Sequence, residues 1–477
     1  MKIVMVASES RPFCKTGGLA DVVYSLSKEL ALLKHDVSVI IPFYQTVKNS
    51  IKTPVKFIDS FVVNMSWRHQ EAKVYQTEAD GVTFYLIEHW YFDRSNIYGD
   101  SDDGERFAFF TLATREFLMR RKETPQIIHI HDWQPGMLIA AIQEVSWYRD
   151  RFNKTRFVMT IHNPAFQGML DRDALGNLYN LPESLFDEGK VRLDGRVSTL
   201  KAGIVYAHKV TTVSPTHHSE LLTPEGGMHL DGVLNLREWD FCGILNGIDY
   251  LEFDPSNDKA ITMPYDASTL VAGKKANHDA LLKELNLNDY HQPLFSMVSR
   301  LTWQKGLDLL FPTIEELCNR GCNVVILGSG ERQYEVELEK LRAKYPDKMA
   351  IYIGYNDTLA HRIYAASDFF MMPSLFEPCG LGQMIAQRYG ALPIVRRTGG
   401  LKDSVINYDG GNMETSNGFG FDNYHPDDMK YTSIYAYDTY QDKRIITRLM
   451  KNAMETDNSW HKSAKSYLGL YKEIAIK

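Results

Sequence analysis

Arg300 and Lys305 stand five residues apart in SRLTWQKG, just before Gly306 and a run with helical apolar spacing. A guanidinium, an ammonium and the free N–H groups of a helix start make a diphosphate site; a solvated basic turn is the alternative. Near the N-terminus, Lys15 lies beside Gly17 and Gly18 in front of a second helix. A backbone of that kind can approach a phosphate or a sugar closely. It is neither a P-loop nor the GxGxxG dinucleotide fingerprint. A third loop, within PSLFEPCGLGQ, carries one acid, Glu377, and one thiol, Cys379. Its acid reads either as a group facing a crevice or as a solvated helix cap.

Histidines mark two further strand ends. Ile127–Ile130 runs into HIHDWQPG, and Arg156–Thr160 runs into IHNPAFQG. His129, His131 and Asp132 are metal ligands by type, but adjacent strand residues point to opposite faces, so a three-ligand site does not follow. His162 and Asn163 fall at a strand C-terminus, where open α/β sheets bind ligands. The acids Asp100–Asp103 also invite a metal reading, yet polar residues before a glycine fit a solvated loop, and no metal is expected there. Cys318 and Cys322 would be half of a metal site with no matching second pair, so they read as buried thiols. His217 and His218 read as surface residues.

The elements that must position these loops alternate. Ile3–Ala7 is a predicted strand, apolar residues from Leu19 to Leu33 keep helical spacing, and Val37–Ile41 is the next strand, which makes one βαβ unit. Strands are also expected at 55–65, 82–88 and Lys209–Val213, a polar loop at 91–106, a helix at 105–120, and helical and connective chain at 170–208. From Leu294 the grammar repeats: strand Leu294–Val298, loop, helix Leu307–Leu317, strand Asn323–Leu327, then Phe369–Met372, the Glu377 loop, a helix from Gly382 to Tyr389 and strand Leu392–Val395. The class is α/β, with two Rossmann-like domains of parallel sheet.

Length and composition agree. A chain of 477 residues exceeds one core. Its 44% hydrophobic and 24% charged content is that of a globular protein, and a net charge of −7 argues against a nucleic-acid or acidic-membrane partner. Five cysteines are an odd number and too few for a disulfide scaffold, and no signal peptide or membrane span is visible, so a cytoplasmic location is expected.

KTGGLADV at 15–22 and PSLFEPCGLGQ at 373–383 together resemble bacterial glycogen synthases and plant starch synthases, and the likeness runs almost end to end. The resemblance implies a GT-B fold, two face-to-face domains about a deep cleft, and a retaining glucosyltransferase. It implies an acceptor-side domain at 1–250, a nucleotide-sugar domain at 251–455 and a helix at 456–477 that returns to the first domain. It implies ADP-glucose as donor and an α-1,4-glucan such as glycogen as acceptor, with neither metal nor pyridoxal phosphate. By the same resemblance Arg300, Lys305, Glu377 and His162 are catalytic. Lys15, Gly17, Gly18, Asp21, His131, Asp132, Asn163, Asn246, Tyr355, Cys379, Gly380, Leu381 and Gly382 bind substrate. Tyr355 matches a position that packs on the nucleotide base, Asp249 also matches, and Trp133 reads as cleft wall or core.

Double displacement would need a carboxylate pair about 5 Å apart, and no convincing pair is visible. The family implies instead a front-face reaction in which the leaving phosphate takes the acceptor proton. Three positions depart from the pattern: Leu375 replaces the usual Arg, Gly382 the usual Thr, and Ile385 stands where broader GT-B enzymes have a second glutamate. Two rival readings remain, a GT-B transferase using another donor such as UDP-glucose and a glucan-binding protein with a decayed site.

Overall fold

Short apolar runs become the parallel strands of two sheets, because a strand covered by helices on both faces must be apolar throughout. The computed structural model describes residues 1–476. It divides into two compact units, residues 1–244 with the chain from Trp460 onward, and Leu245–Ser459.

The first unit holds a nine-stranded sheet. Its order is Phe241–Gly243, Lys209–Thr212, Arg156–Ile161, Ile127–His131, Lys2–Val6, Asp36–Pro42, Val82–Glu88, Arg68–Ala79 and Lys56–Met65. The first seven are parallel, and the last two pair antiparallel at one edge. Strand Arg68–Ala79 was not predicted, since Ala72, Val74 and Thr77 are its buried positions in a sequence otherwise polar and half exposed. The 170–208 stretch also differs from expectation. It contains a small sheet of Met169–Leu170, Arg196–Ser198 and Arg192–Leu193 besides its helices.

The second unit holds six parallel strands in the order Met349–Ile353, Asn323–Gly328, Leu294–Val298, Phe369–Met372, Leu392–Arg396 and Phe419–Phe421. The boundary falls at 244/245 and 459/460, not at 250/251 and 455/456. Hydrogen bonds explain the shift, for the incoming and outgoing chains are zipped together inside this unit. The Ile248 N–H donates to the Asn458 carbonyl (2.8 Å), the Tyr250 hydroxyl donates to the Thr456 carbonyl (3.1 Å), and the Asn458 N–H donates to the Tyr250 hydroxyl (2.9 Å).

The last helix, Trp460–Ile474, lays Trp460, Ala464, Tyr467 and Tyr471 into the core of the first unit and packs on helix Gly18–Leu32. No helix among the described residues is long and apolar enough to cross a membrane. Trp460 is 3% exposed. Trp460→Ala is expected to destabilise the first unit by about 3–5 kcal/mol, read as a lower urea midpoint; an unmoved midpoint would separate this helix from the core.

Candidate active site

In a doubly wound sheet, ligands bind outside the carboxyl ends of the two strands from which the strand order runs in opposite directions. In the second unit those strands are Leu294–Val298 and Phe369–Met372, and the loops that leave them hold Arg300, Lys305 and Glu377. Glycines let these loops touch. Gly306 has φ 69°, and a Cβ there would lie 2.0 Å from the Pro373 carbonyl oxygen. Gly399 has φ 45°, and its Cβ would lie 2.0 Å from the Glu377 carbonyl oxygen; at Gly400 a Cβ would meet the Cys379 carbonyl at 2.2 Å.

Hydrogen bonds complete the clamp. The Gly400 N–H donates to the Glu377 carbonyl (3.1 Å) and the Leu375 N–H to the Gln304 carbonyl (2.9 Å). Gln304 Nε2 donates to the Phe376 carbonyl (3.1 Å), and the Arg396 guanidinium donates to the carbonyl of Leu375 (2.5 Å). Thus the loop that lacks an arginine at 375 receives one from strand Leu392–Arg396.

Inside the clamp the Glu377 carboxylate is 7% exposed. It accepts from Lys305 Nζ at 2.5 Å and from Ser374 Oγ at 3.0 Å. Arg300 is exposed on the same loop as Lys305. Burial pushes the Cys379 thiol up to about 12, so it is neutral, and Asn246 hydrogen-bonds it through backbone and side chain. Asn246 Oδ1 is buried without a partner. Gly380 takes φ 74° and lets the chain turn through Leu381 into helix Gly382–Arg388. A Cβ at Gly382 would stand 3.1 Å from the Phe370 ring, which partly fills that space. Tyr355, beyond strand Met349–Ile353, is 84% exposed.

The corresponding strands of the first unit are Lys2–Val6 and Ile127–His131. Beyond the former, Glu9 is 2% exposed and accepts from the Thr16 N–H (2.5 Å) and hydroxyl (2.8 Å), which shapes the Lys15–Gly18 turn. Burial raises the Glu9 pKa. Lys15 is exposed and pairs with Asp21 at 2.8 Å. Gly17 has φ −150°, and Gly18 opens helix Gly18–Leu32; a Cβ would meet nothing within 4 Å at Gly18 and only Glu9 Oε1, at 3.9 Å, at Gly17. Packing therefore does not require glycine at either position.

The histidines form a buried relay. His131 Nδ1 lies 3.0 Å from His162 Nε2, and the His129 and His131 ring centroids are 4.1 Å apart. His129 bonds Tyr471 Oη (2.7 Å) and Thr160 Oγ1 (2.6 Å). Asp132, with φ 58°, accepts from the backbone N–H groups of His162 (2.7 Å) and Asn163 (3.4 Å). Burial lowers His129 and His162 to about 3 and His131 well below its ordinary value, and it raises Asp132 to about 7. The three rings are therefore neutral at pH 7. Trp133 is half-buried beneath Gly168, where a Cβ would strike Thr199 Oγ1 at 2.1 Å.

Reasoning from sequence missed Glu9, Ser374, Gln304, Arg396 and Tyr471. An acid at the end of an apolar strand was the one available signal, for Glu9; the others meet the site through folding alone. His217, expected at the surface, is buried, because Ser214 caps helix Pro215–Leu221 and turns it inward. The acids at 100–103 are engaged by arginines. Asp100 pairs with Arg94 and Arg106 at 3.2 Å each, Asp102 with Arg94, and Asp103 with Arg106.

Two mainly parallel units, each with its polar residues at the point where strand order reverses, define a GT-B glycosyltransferase. Residues 2–236 match the family described as starch synthase catalytic domain, and residues 280–454 match glycosyl transferases group 1. The chain belongs to the glycogen synthase family. The glycogen synthase of Clostridium kluyveri is 43% identical over 477 residues, 99% of this chain and 100% of that one. That of Exiguobacterium sibiricum is 44% identical over 480 residues, 100% of this chain and 99% of that one. The solved catalytic domain of starch synthase IV from Arabidopsis thaliana, bound to ADP and acarbose, has a TM-score of 0.91 and 34% identity, covering 99% of each chain.

Neutral histidines couple stability to pH. Between about pH 6.5 and 3 the unfolded chain binds protons that folded His129 and His162 do not. Their contribution is present above pH 6.5 and is lost as pH falls towards 3. Asp132 works oppositely: its contribution is full below about pH 4 and is lost as pH rises through about 7. His129→Gln is therefore expected to reduce the fall in unfolding free energy between pH 6 and 4.5 by about 1.4 kcal/mol per pH unit, measured by urea titration. An unchanged slope would mean that His129 is protonated in the folded chain.

Proposed function

We propose that this chain transfers glucose from ADP-glucose to the 4-OH at the non-reducing end of an α-1,4-glucan, with retention, so elongating glycogen. The observation that carries the reading is the buried Lys305–Glu377 pair, held at 2.5 Å where two loops leave the central strands of the second unit. When the bond from the anomeric carbon to the diphosphate oxygen breaks, negative charge grows on the diphosphate and positive charge on the ring. An ammonium has three N–H donors, so Lys305 can hold Glu377 with one and offer the others to the diphosphate. Arg300, exposed nearby in sequence, adds a second cation. Lys15 and the open backbone at Gly17 and Gly18 are further groups suited to phosphate or sugar oxygens, which would account for glycines that packing does not require.

His162, neutral and fixed by His131, can exchange hydrogen bonds with a sugar hydroxyl without adding charge beside a developing cation. Asn163 and the unpartnered Asn246 Oδ1 are further groups for hydroxyls, Asp132 orients the His162 backbone, and Asp21 positions Lys15. Tyr355 supplies an exposed ring for the base, with Gly380, Leu381 and Gly382 leading into a short helix and Cys379 as a neutral anchor. A bond then forms from the anomeric carbon to the acceptor O4, and the acceptor proton passes to the leaving phosphate oxygen. The reaction takes no metal and no pyridoxal phosphate. We place it in the cytoplasm, where free thiols such as these five persist.

The test is transfer to glycogen from ADP-glucose and UDP-glucose side by side, with EDTA. Strong ADP-glucose transfer in EDTA is expected. Transfer from UDP-glucose alone would overturn the donor, and glycogen binding without transfer would indicate a decayed site. Glu377→Gln keeps the shape but removes the charge, and is expected to lower turnover about 100-fold with the circular dichroism spectrum unchanged. Near-normal turnover would remove Glu377 from the chemistry.

A further inference from the structure

Helix Leu307–Asn319 starts at Gly306, next to Lys305, and carries one acid in its first turn, Asp308. The Asp308 carboxylate accepts from the Tyr424 hydroxyl at 2.6 Å, across 116 residues of sequence. Tyr424 stands in the turn between strand Phe419–Phe421 and helix Pro426–Tyr440, and that helix packs on Leu307–Asn319. Phe421 is the register partner of Arg396. The same turn therefore brings the Tyr424 ring beside the Arg396 guanidinium, which lies 5.7 Å from the ring centroid, within the range of a cation–π contact.

Arg396 in turn holds the Glu377 loop. Its Nη1 donates to the Leu375 carbonyl at 2.5 Å and reaches that of Ser374 at 3.5 Å, while its Nε is buried without a hydrogen-bond partner. Two neighbouring carbonyls bonded through one nitrogen do not fix the plane of a five-donor group. The Tyr424 ring, itself pinned by Asp308, supplies a further contact that does. Ser374 passes the constraint on, since its hydroxyl donates to the Glu377 carboxylate at 3.0 Å.

These contacts close a ring. From Lys305 it runs through the first helical turn to Asp308, then to Tyr424, Arg396, Ser374 and Glu377, whose carboxylate meets Lys305 again. As charge grows on a diphosphate, Lys305 is drawn towards it and away from Glu377, and the spacing of the two loops decides how far it moves. A displacement of about 1 Å near a reacting group can cost about 100-fold in rate. We infer that Tyr424 and Asp308 are positioning residues for the transfer, setting the spacing of the Lys305 and Glu377 loops without touching substrate themselves. The inference rests on the reading that Lys305 and Glu377 serve that transfer.

Tyr424→Phe removes the hydroxyl and keeps the ring, and Asp308→Ala removes the acceptor. Asp308 is exposed, so neither change strands a buried charge, and both variants are expected to fold. The experiment measures kcat, and KM for ADP-glucose and glycogen, in each variant, in the two combined, and in Tyr424→Phe combined with Glu377→Gln. Each single change is expected to lower kcat about tenfold while KM stays within about twofold. The two combined should lose no more than either alone, since both remove one bond, and Tyr424→Phe should add less than about twofold to Glu377→Gln. A hydrogen bond that only supports the fold would cost the same factor with or without Glu377; that result, or an unchanged kcat in Tyr424→Phe, would overturn the inference. Near-normal turnover in Glu377→Gln alone would instead sink the reading beneath it, and the inference with it.

Discussion

An ammonium and a carboxylate sit 2.5 Å apart with little access to water because three stretches of backbone approach too closely for any side chain between them. A buried pair is expensive to desolvate and repays that cost only with fixed geometry and satisfied hydrogen bonds. Gly306, Gly399 and Gly400 supply the geometry, Gln304 and Arg396 tie down the carbonyls of the loop, and Ser374 donates to the carboxylate itself. The parallel sheet matters to this site chiefly because it delivers those three backbones to one place. A Cβ at any of the three glycines would push a carbonyl away, and the charges would then be left with water or with nothing.

The two units share a topology and differ in chemistry. Each places its polar residues outside the strand pair where the sheet order reverses, as doubly wound sheets do. In the second unit these residues are Arg300, Lys305 and Glu377, all formally charged types. In the first, the residues beyond Ile127–His131 and Arg156–Ile161 are histidines that burial keeps neutral and an aspartate that burial pushes towards neutrality.

Most of this architecture was legible because parallel strands buried on both faces must be apolar, so Ile3–Ala7, Ile127–Ile130 and Phe369–Met372 stand out in the sequence. Arg68–Ala79 did not, since a strand with only three buried residues among its twelve carries no apolar run. Loops at strand ends were legible as candidate positions for Lys305, Glu377 and His162. Their partners were not, because no sequence pattern links Lys305 to Glu377, 72 residues away, or His129 to Tyr471, 342 residues away. His217 failed for a related reason: two adjacent histidines look solvated until a capped helix turns one of them inward.

The end of the chain shows how far such partners can matter. Helix Trp460–Ile474 contributes large apolar side chains to the first unit, which alone would make it a structural element. Yet the Tyr471 hydroxyl also fixes the His129 ring, the His129 ring packs on His131, and His131 holds His162. The His129 and His131 rings are fully buried, so each takes its tautomer and angle from the neighbour it bonds. The orientation of His129 is thus set partly by a residue close to the C-terminus, and the helix that closes the core also reaches the histidine cluster.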